Sequence, residues 1–398
     1  MQYDLVFEGG GAKGMAFVGA LQHLEEFEHT KGRLMGTSAG SIMATYIAAG
    51  YTAGEMKDAL METSDDGIPV FTKFMAKPVP FTREEIDGSA VRRLLQEIDI
   101  KFIPNVIEDR FDNLILGLMT RDQFSNLFSF VERGGWFSAD FFVEWARKKL
   151  NEGEYNGRPR QMGEMTMAEF FSTTGKELSL VAADTIDHRL LVLNHRTAPG
   201  VPVVWAMRMS MSVPLLWQEV IWQKEWGNYM GIDLTGHSVV DGGVLSNFPI
   251  ELFLSNDPHV IALMGPKTTA TILGLLIDES LPVSGASPSA ARASTMDISA
   301  LPVTSRIKGL IDTTTQARDK MVIDAFKQFV CRLPAKSYGT TEFDMTDDRR
   351  EALIAAGYAA MVDYFQSEET EGMKGPDIFE MEKAFSQADH IAINILQP

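Results

Sequence analysis

Twice within the first fifty residues a short apolar run ends in a glycine-rich turn. Tyr3–Phe7 leads straight into Gly9-Gly10-Gly11-Ala12-Lys13-Gly14, and Arg33–Met35 leads into Gly36-Thr37-Ser38-Ala39-Gly40. A helical pattern follows each turn. From Met15 to about Glu28, Phe17, Leu21, Leu24 and Phe27 recur at helical spacing, and the apolar stretch from Ser41 to Ala49 stops near Gly50. Strands that alternate with helices imply an α/β sheet, at least partly parallel.

Further along, the pattern predicts a helix over 53–62 and a hairpin from Leu178–Ala183 and Leu190–Asn194. A helix through 203–212 leads to Val213-Pro214. Ser238–Val240 reads as a strand running into Asp241-Gly242-Gly243, and Val260–Met264 as another buried strand. Residues 64–174 differ in texture. Phe124, Phe128, Phe130, Trp136, Phe137, Phe141, Phe142 and Trp145 cluster there, and the stretch reads as a mostly helical insertion covering the sheet. Residues 267–306 are rich in Ser, Thr, Ala and Pro, with few large apolar residues after Ile277, and read as a mobile surface loop. A helix is expected over 308–329 and a final strand over 330–333. Thr346 is a good cap for a helix reaching about Phe365, with Ile354, Tyr358, Met361 and Phe365 on one face. An acidic tail follows, with a weak helix over 378–385.

Composition narrows the function. The 398 residues carry 36 Lys and Arg against 54 Asp and Glu, a net charge of −18. Phosphate recognition needs clustered Lys and Arg, so the acidic balance argues against nucleic acid as the main partner and disfavours unaided adhesion to an anionic membrane. Cys331 is the single cysteine, which excludes an intramolecular disulfide and an all-Cys metal site. No apolar stretch approaches the ~18–20 residues of a membrane span. The opening residues have no charged leader region or cleavage site, so the expected location is cytoplasmic, with export without a cleaved signal left open.

The chemistry rests on the glycine turns. Gly9-x-Gly11-x-x-Gly14 fits the dinucleotide fingerprint literally, yet no Asp or Glu lies between Glu28 and Glu55 to hold a ribose. A Walker A loop fails because Gly14 follows Lys13. Successive glycines at a helix start also suit an oxyanion hole, where backbone N–H groups turn toward one point. Gly36-Thr37-Ser38-Ala39-Gly40 is a G-x-S-x-G elbow, which exposes a serine at a sharp strand-to-helix turn. Two bases suit Ser38. His259 and His390 follow Asp241 and complete a Ser–acid–His order formally. Alternatively Asp241, at the end of an apolar strand, takes the proton itself. His237 reads as a loop residue, and His23 and His29 as lying on the solvated side of the first helix. Trp217, Trp222 and Trp226 fit neither period.

Taken together and in this order, Gly9-Gly10-Gly11-Ala12-Lys13-Gly14, Gly36-Thr37-Ser38-Ala39-Gly40 and Asp241-Gly242-Gly243 resemble the patatin-like phospholipases. Ser210-Met211-Ser212-Val213-Pro214 is similar to the family's third block. Asn247 and Pro249 match the tail of the Asp-Gly-Gly motif, and Thr340–Met345 resembles the C-terminal part of many bacterial members. The resemblance covers residues 1–60, 178–265 and about 308–366. It implies a three-layer α/β/α fold with a mixed, largely parallel central sheet and a helical insertion. One catalytic domain is expected over 1–366, with its core in 1–63, 175–266 and 306–366, the insertion in 64–174, a flexible loop in 267–305 and an acidic tail over 367–398.

The resemblance implies Ser38 as nucleophile and Asp241 as its base, a dyad without histidine. Gly9, Gly10 and Gly11 become the oxyanion loop, with Lys13, Gly14, Gly36, Gly40, Gly242 and Gly243 in supporting places. No metal or cofactor is implied. Two departures stand out. Glu8 replaces the usual Asp, and Lys13 the usual Arg, which loses bidentate donation and suggests a less rigid loop. The implied substrates are acyl esters of glycerophospholipids, reached by peripheral membrane contact. Set against the charge of −18, this suggests an activating protein, such as a ubiquitin-like one, or a small ligand. A soluble carboxylesterase or thioesterase with the same dyad, and a non-enzymatic binding protein, are the alternatives. Positional preference, head group and oligomeric state stay open.

Overall fold

The computed structural model describes residues 1–79, 81–93, 122–287, 322–323, 325–372 and 378–396. In chain order the strands are β1 (Gln2–Phe7), β2 (Thr30–Thr37), β3 (Gly135–Phe137), β4 (Glu154–Tyr155), β5 (Arg158–Pro159), β6 (Leu178–Asp184), β7 (Arg189–Leu193), β8 (Leu215–Trp217), β9 (Val220–Ile221), β10 (Ser238–Asp241), β11 (Thr271–Pro282) and β12 (Val330–Lys336). The α-helices are α1 (Ala16–Glu26), α2 (Ala39–Ala48), α3 (Ala53–Leu60), α4 (Arg83–Asp87), α5 (Asp122–Glu132), α6 (Asp140–Lys149), α7 (Met167–Thr174), α8 (Val203–Ser210), α9 (Glu251–Leu254), α10 (Pro258–Met264), α11 (Asp347–Gly372) and α12 (Ile378–Leu396).

The main sheet runs β12-β11-β1-β2-β6-β10-β9, with β7 also on β6. The first five strands in that order are parallel, while β7 and β10 run antiparallel to β6 and β9 antiparallel to β10. Strand periodicity divides the interior in two. Tyr3, Leu5 and Phe7 of β1 enter one apolar core, and Val6 enters the other. The first core is closed by Phe17, Leu21 and Leu24 of α1, Met43 and Ile47 of α2, and Leu353, Ile354 and Met361 of α11. The second is closed by Phe253 of α9, Leu263 of α10, and Ala384, Ala388 and Ala392 of α12. The result is the expected mixed, mostly parallel sheet with helices on both sides.

Helices α1 and α11 cross at backbone contact. A Cβ on Gly19 would lie 1.8 Å from the Ile354 carbonyl oxygen, and one on Gly357 would lie 2.0 Å from that of Ala16. Between 64 and 174 the described residues hold α4–α7, and β3 pairs in parallel with β8. A small separate cluster of Phe81, Ile86 and Phe128 sits there. Trp217, Trp222 and Trp226 are buried in the main core. Among the described residues no helix is long and apolar enough to cross a membrane.

Four expectations are corrected. Residues 260–264 are not a strand but part of helix α10. Pro258 opens that helix, and the Asp257 side chain caps it by accepting the His259 N–H at 2.8 Å. A five-residue apolar run cannot choose between strand and helix by itself, and the Asp-Pro start signal decides. Residues 271–282 are no surface loop. They form β11, which lies between β1 and β12 within the parallel region. Its apolar segment Ile272–Ile277 was diluted by the polar residues around it. The part of the expected loop from 288 to 306, and residues 308–321 of the expected helix, lie outside the described residues.

The acidic tail is also more than a weak helix. Helix α12 runs to Leu396 and buries Ala384, Ala388, Ala392 and Ile395. Alanines at a spacing of four make an apolar face that side-chain size hides. Asp389 fastens it, accepting from the Ser255 hydroxyl at 2.7 Å and the Asp257 N–H at 3.0 Å. Finally, His23 is buried rather than solvated, stacked between Phe27 and Phe365 at 4.6 and 5.0 Å.

Deleting residues 373–398 therefore uncovers Phe253, Leu254 and Leu263 as well as removing Ile395. At ~1.5–3 kcal/mol for each large apolar side chain re-exposed, several kcal/mol are lost. The thermal midpoint should fall by at least about 5 °C, and a melt followed by circular dichroism checks it. An unchanged midpoint would show that α12 does not complete the second core.

Candidate active site

Both glycine turns leave the same end of neighbouring parallel strands. The register sets Phe7 beside Gly36, so Glu8-Gly9 runs alongside Thr37-Ser38. On the other side of β2, Thr37 pairs with Val181 of β6, and Asp241 of β10 pairs with Ala182, the next residue. The ends of three motifs, far apart in sequence, are thus brought together by four adjacent strands.

Ser38 stands between β2 and α2 with φ 53° and ψ −122°, a conformation that costs a non-glycine residue on the order of 1–3 kcal/mol. Its surroundings hold it there. The Ser38 N–H donates to Ser210 Oγ at 3.0 Å, and the Ser210 hydroxyl donates to the Val181 carbonyl at 2.6 Å. The Ser38 carbonyl accepts from the Ser41 N–H at 2.9 Å and the Ser41 hydroxyl at 2.6 Å. Gly40 permits the tight turn, since a Cβ there would lie 2.4 Å from the Phe7 carbonyl oxygen. Gly36 packs directly against Gly40.

Asp241 is almost wholly buried, at 3% exposure. Its N–H donates to the Ser212 carbonyl at 2.9 Å, and its Oδ1 accepts from the Gly243 N–H at 2.7 Å. Among the described residues Oδ2 has no hydrogen-bond partner. Burial raises the pKa from 3.8 to about 7, opposed by the Ser38 hydroxyl and the Gly243 N–H. The Ser38 hydroxyl thus acts on this carboxylate without closing a well-formed hydrogen bond to it. Gly242 packs on the Val181 carbonyl.

The glycine loop is held from three sides. The Gly9 N–H donates to the Asn247 carbonyl at 3.2 Å, and the Ala12 N–H to the Thr340 carbonyl at 2.9 Å. Lys13 is buried and its ammonium bonds the carboxylate of Glu279 on β11. Gly14 rests against Ala39 of α2. The loop then enters a five-residue 3-10 helix, Gly11–Met15, before α1 begins. Among the described residues nothing accepts from the N–H of Gly10 or Gly11. A serine hydroxyl at the turn, a carboxylate whose burial raises its pKa to about 7, and two backbone donors without an acceptor among the described residues suit acyl transfer.

The histidines are elsewhere. His259 is exposed beside Asp257, and His390 is exposed on α12, which packs on the opposite face of the sheet from Ser38's helix α2. His237 meets Asp184 at 3.0 Å through Nδ1. Asp184, Asp187 and His237 place ligand atoms within 4.8 Å of one another, but Arg189 already pairs with both carboxylates, at 3.3 and 2.8 Å.

Three contributors had no role assigned from the sequence. Ser210 and Ser212 lie in the third block, and only the fold reveals that they hold Ser38 and Asp241. Arg208 is buried one turn earlier. It donates to the Ser138 carbonyl at 2.9 Å, the Gln218 carbonyl at 2.8 Å and the Ser212 hydroxyl, and burial lowers its pKa to about 10. An arginine inside an apolar helix was the available signal.

The chain is similar to several known proteins. The Bacillus subtilis (strain 168) protein YqhO is 25% identical over 364 residues, covering 90% of this chain and 96% of its own. The "Probable lipid hydrolase 463L" of Invertebrate iridescent virus 6 is 20% identical over 248 residues, 62% of each chain. The crystal structure of VipD from Legionella pneumophila aligns with a TM-score of 0.43 at 16% identity, over 92% of this chain and 67% of that one. The model of the patatin-like phospholipases matches residues 5–254, more than half of the sequence and a span that includes Asp241-Gly242-Gly243. The chain belongs to the patatin-like phospholipase family.

Proposed function

We propose that this chain is a lipid acyl hydrolase of the phospholipase A type, in which Ser38 is the nucleophile and Asp241 its general base. The observation that carries the reading is the pairing of a strained, buried serine at a strand-to-helix turn with a buried carboxylate whose Oδ2 has no hydrogen-bond partner among the described residues. As Ser38 Oγ attacks the ester carbonyl, Asp241 takes its proton. The N–H groups of Gly10 and Gly11 hold the oxyanion, and that of Gly9 is spent on Asn247. Collapse breaks the ester C–O bond, and the departing alkoxide takes the proton from Asp241 as a lysolipid. Water then loses a proton to Asp241 while adding to the acyl-enzyme. The second collapse returns that proton to Ser38 and frees the fatty acid. No step requires a metal.

Ser38→Ala should abolish labelling by a fluorophosphonate probe, and Asp241→Asn should slow it by a factor of ~10³ or more. His259→Ala and His390→Ala should label like wild type. Labelling that survives Ser38→Ala would sink the mechanism, and loss in either histidine variant would restore a triad.

The pH dependence has a definite sign. Asp241 must be ionised to act, so kcat/KM should rise through about pH 7 and level off above it. Its folded pKa is raised above the unfolded value. The stabilising preference for the protonated form is therefore complete at low pH and lost as pH climbs from about 4 to about 7. Asp241→Asn should consequently resist denaturant better than wild type at pH 8, while losing activity. Equal midpoints at pH 8 would contradict a desolvated carboxylate.

The net charge of −18 supports assisted delivery to membrane by an activating protein or small ligand. Purified protein should hydrolyse a soluble short-chain ester more readily than anionic phospholipid vesicles. Full-rate hydrolysis of those vesicles by the protein alone removes the need for an activator. Activity confined to soluble esters under every condition favours the carboxylesterase alternative.

A further inference from the structure

We infer that Asn247 and Glu8 form a positioning pair that aims the Gly10 N–H at the reacting carbonyl oxygen. The inference rests on the acyl-hydrolase reading and adds two residues to it, neither of them in contact with the reacting atoms.

The geometry begins with the Asn247 amide. Its Nδ2 donates to the Gly9 carbonyl at 2.9 Å and to Glu8 Oε1 at 3.1 Å. Both partners are pure acceptors, a carbonyl and a carboxylate, so the NH2 end of the amide must face them. The Asn247 backbone carbonyl meanwhile accepts the Gly9 N–H at 3.2 Å. Both polar groups of Gly9 are thus committed to one residue. The Gly9 carbonyl and the Gly10 N–H belong to the same planar trans peptide and point opposite ways. Fixing the Gly9 carbonyl on Asn247 therefore fixes the direction of the Gly10 N–H, and it leaves that donor free.

Glu8 sets the other half of the device. Its Oε2 accepts the Ile277 N–H of β11 at 2.6 Å while Oε1 holds Asn247. The carboxylate is buried to 8% exposure, where charge-assisted hydrogen bonds are strong. Ile277 also confines the loop directly, because its Cδ1 occupies the place a Cβ on Gly10 would take, 2.2 Å from it. The amide of Asn247 lies against the nucleophile's own neighbour, since the Cβ position of Gly9 is 2.2 Å from Asn247 Oδ1 and 3.0 Å from Ser38 Cβ. The pair therefore sits beside the serine and connects the glycine loop, the loop after Asp241 and β11.

The test compares hydrolysis of an oxygen ester with that of the matching thionoester by the full-length chain. A developing thiolate accepts hydrogen bonds poorly, so the ratio of the two rates reports how well an oxyanion donor is aimed. Asn247→Leu keeps the side-chain shape and removes the donor. It should lower kcat on the oxygen ester by about 10²-fold, with KM within about threefold, and lower the oxygen-to-thiono preference by about tenfold. Glu8→Gln retains one acceptor and sets an NH2 against a donor, so it should shift both quantities the same way by a smaller factor. If Asn247→Leu does not fold, Glu8→Gln alone decides. A folded variant whose kcat falls while the preference stays at the wild-type value would overturn the inference, and so would wild-type kinetics. Ser38→Ala is the separate control. If it keeps its activity, the acyl-hydrolase reading has failed, whatever the Asn247 variant does.

Discussion

The backbone of Val181 and Ala182, midway along β6, is the ruler against which the site is set. Val181 pairs with Thr37, so it fixes where β2 ends and the serine turn begins. Its carbonyl accepts the Ser210 hydroxyl that holds the Ser38 N–H, and it also underlies Gly242. Ala182 pairs with Asp241. A one-residue slip of β6 against either neighbour would move serine and carboxylate apart and turn every side chain of the strand to the wrong core. The two-sided apolar core prevents that slip. Leu180 and Ala182 belong to one cluster and Val181 to the other, so register is specified from both faces.

Two local costs are concentrated at this point. Ser38 occupies a left-handed conformation, and Asp241 is held where ionisation is unfavourable. Neither would persist in isolation. The elbow is sustained by hydrogen bonds at both ends of Ser38, and the carboxylate by the Gly243 N–H and by the Ser212 carbonyl on its own backbone. The third block is therefore a shared support, because residues 210 and 212 hold the two candidate catalytic residues from one short segment. Arg208, in the preceding turn, ties that segment to Ser138 and Gln218 beside the β3–β8 pair. The inserted region is thereby connected mechanically to the residues that support the site.

Local motifs were the legible part of the sequence. A glycine turn between a strand and a helix is specified by its own residues, so the placement of Gly9–Gly14, Ser38 and Asp241 follows from short windows. What escaped was decided by distant partners or by size rather than polarity. Val260–Met264 is apolar enough for either regular structure, and its Asp-Pro cap settles it. Strand β11 was concealed by its polar flanks, and α12 by a face built of alanine. His23 was read as solvated because its polarity outweighed its place on α1, and only Phe27 and Phe365 reveal the aromatic slot it fills. The roles of Ser210 and Asn247 depend on partners 172 and 239 residues away in sequence.

The two departures from the family pattern can now be understood physically. Lysine in place of arginine at position 13 removes a bidentate fork, and a looser loop would be expected if that side chain were the main anchor. Lys13 is itself buried and bonds one carboxylate, on Glu279, whose side chain is 63% exposed. Further restraints come from the Asn247 carbonyl and amide on Gly9 and from the Thr340 carbonyl on the Ala12 N–H. Glutamate at position 8 contributes in the same direction. Its two oxygens reach separate donors, on β11 and on Asn247, with the reach its second methylene gives it. The substitution that weakens the cationic anchor is thus accompanied by a longer carboxylate that binds the loop to two other segments. The loop Gly9–Gly11 is held by neutral and acidic partners on two other segments in addition to the Lys13–Glu279 pair.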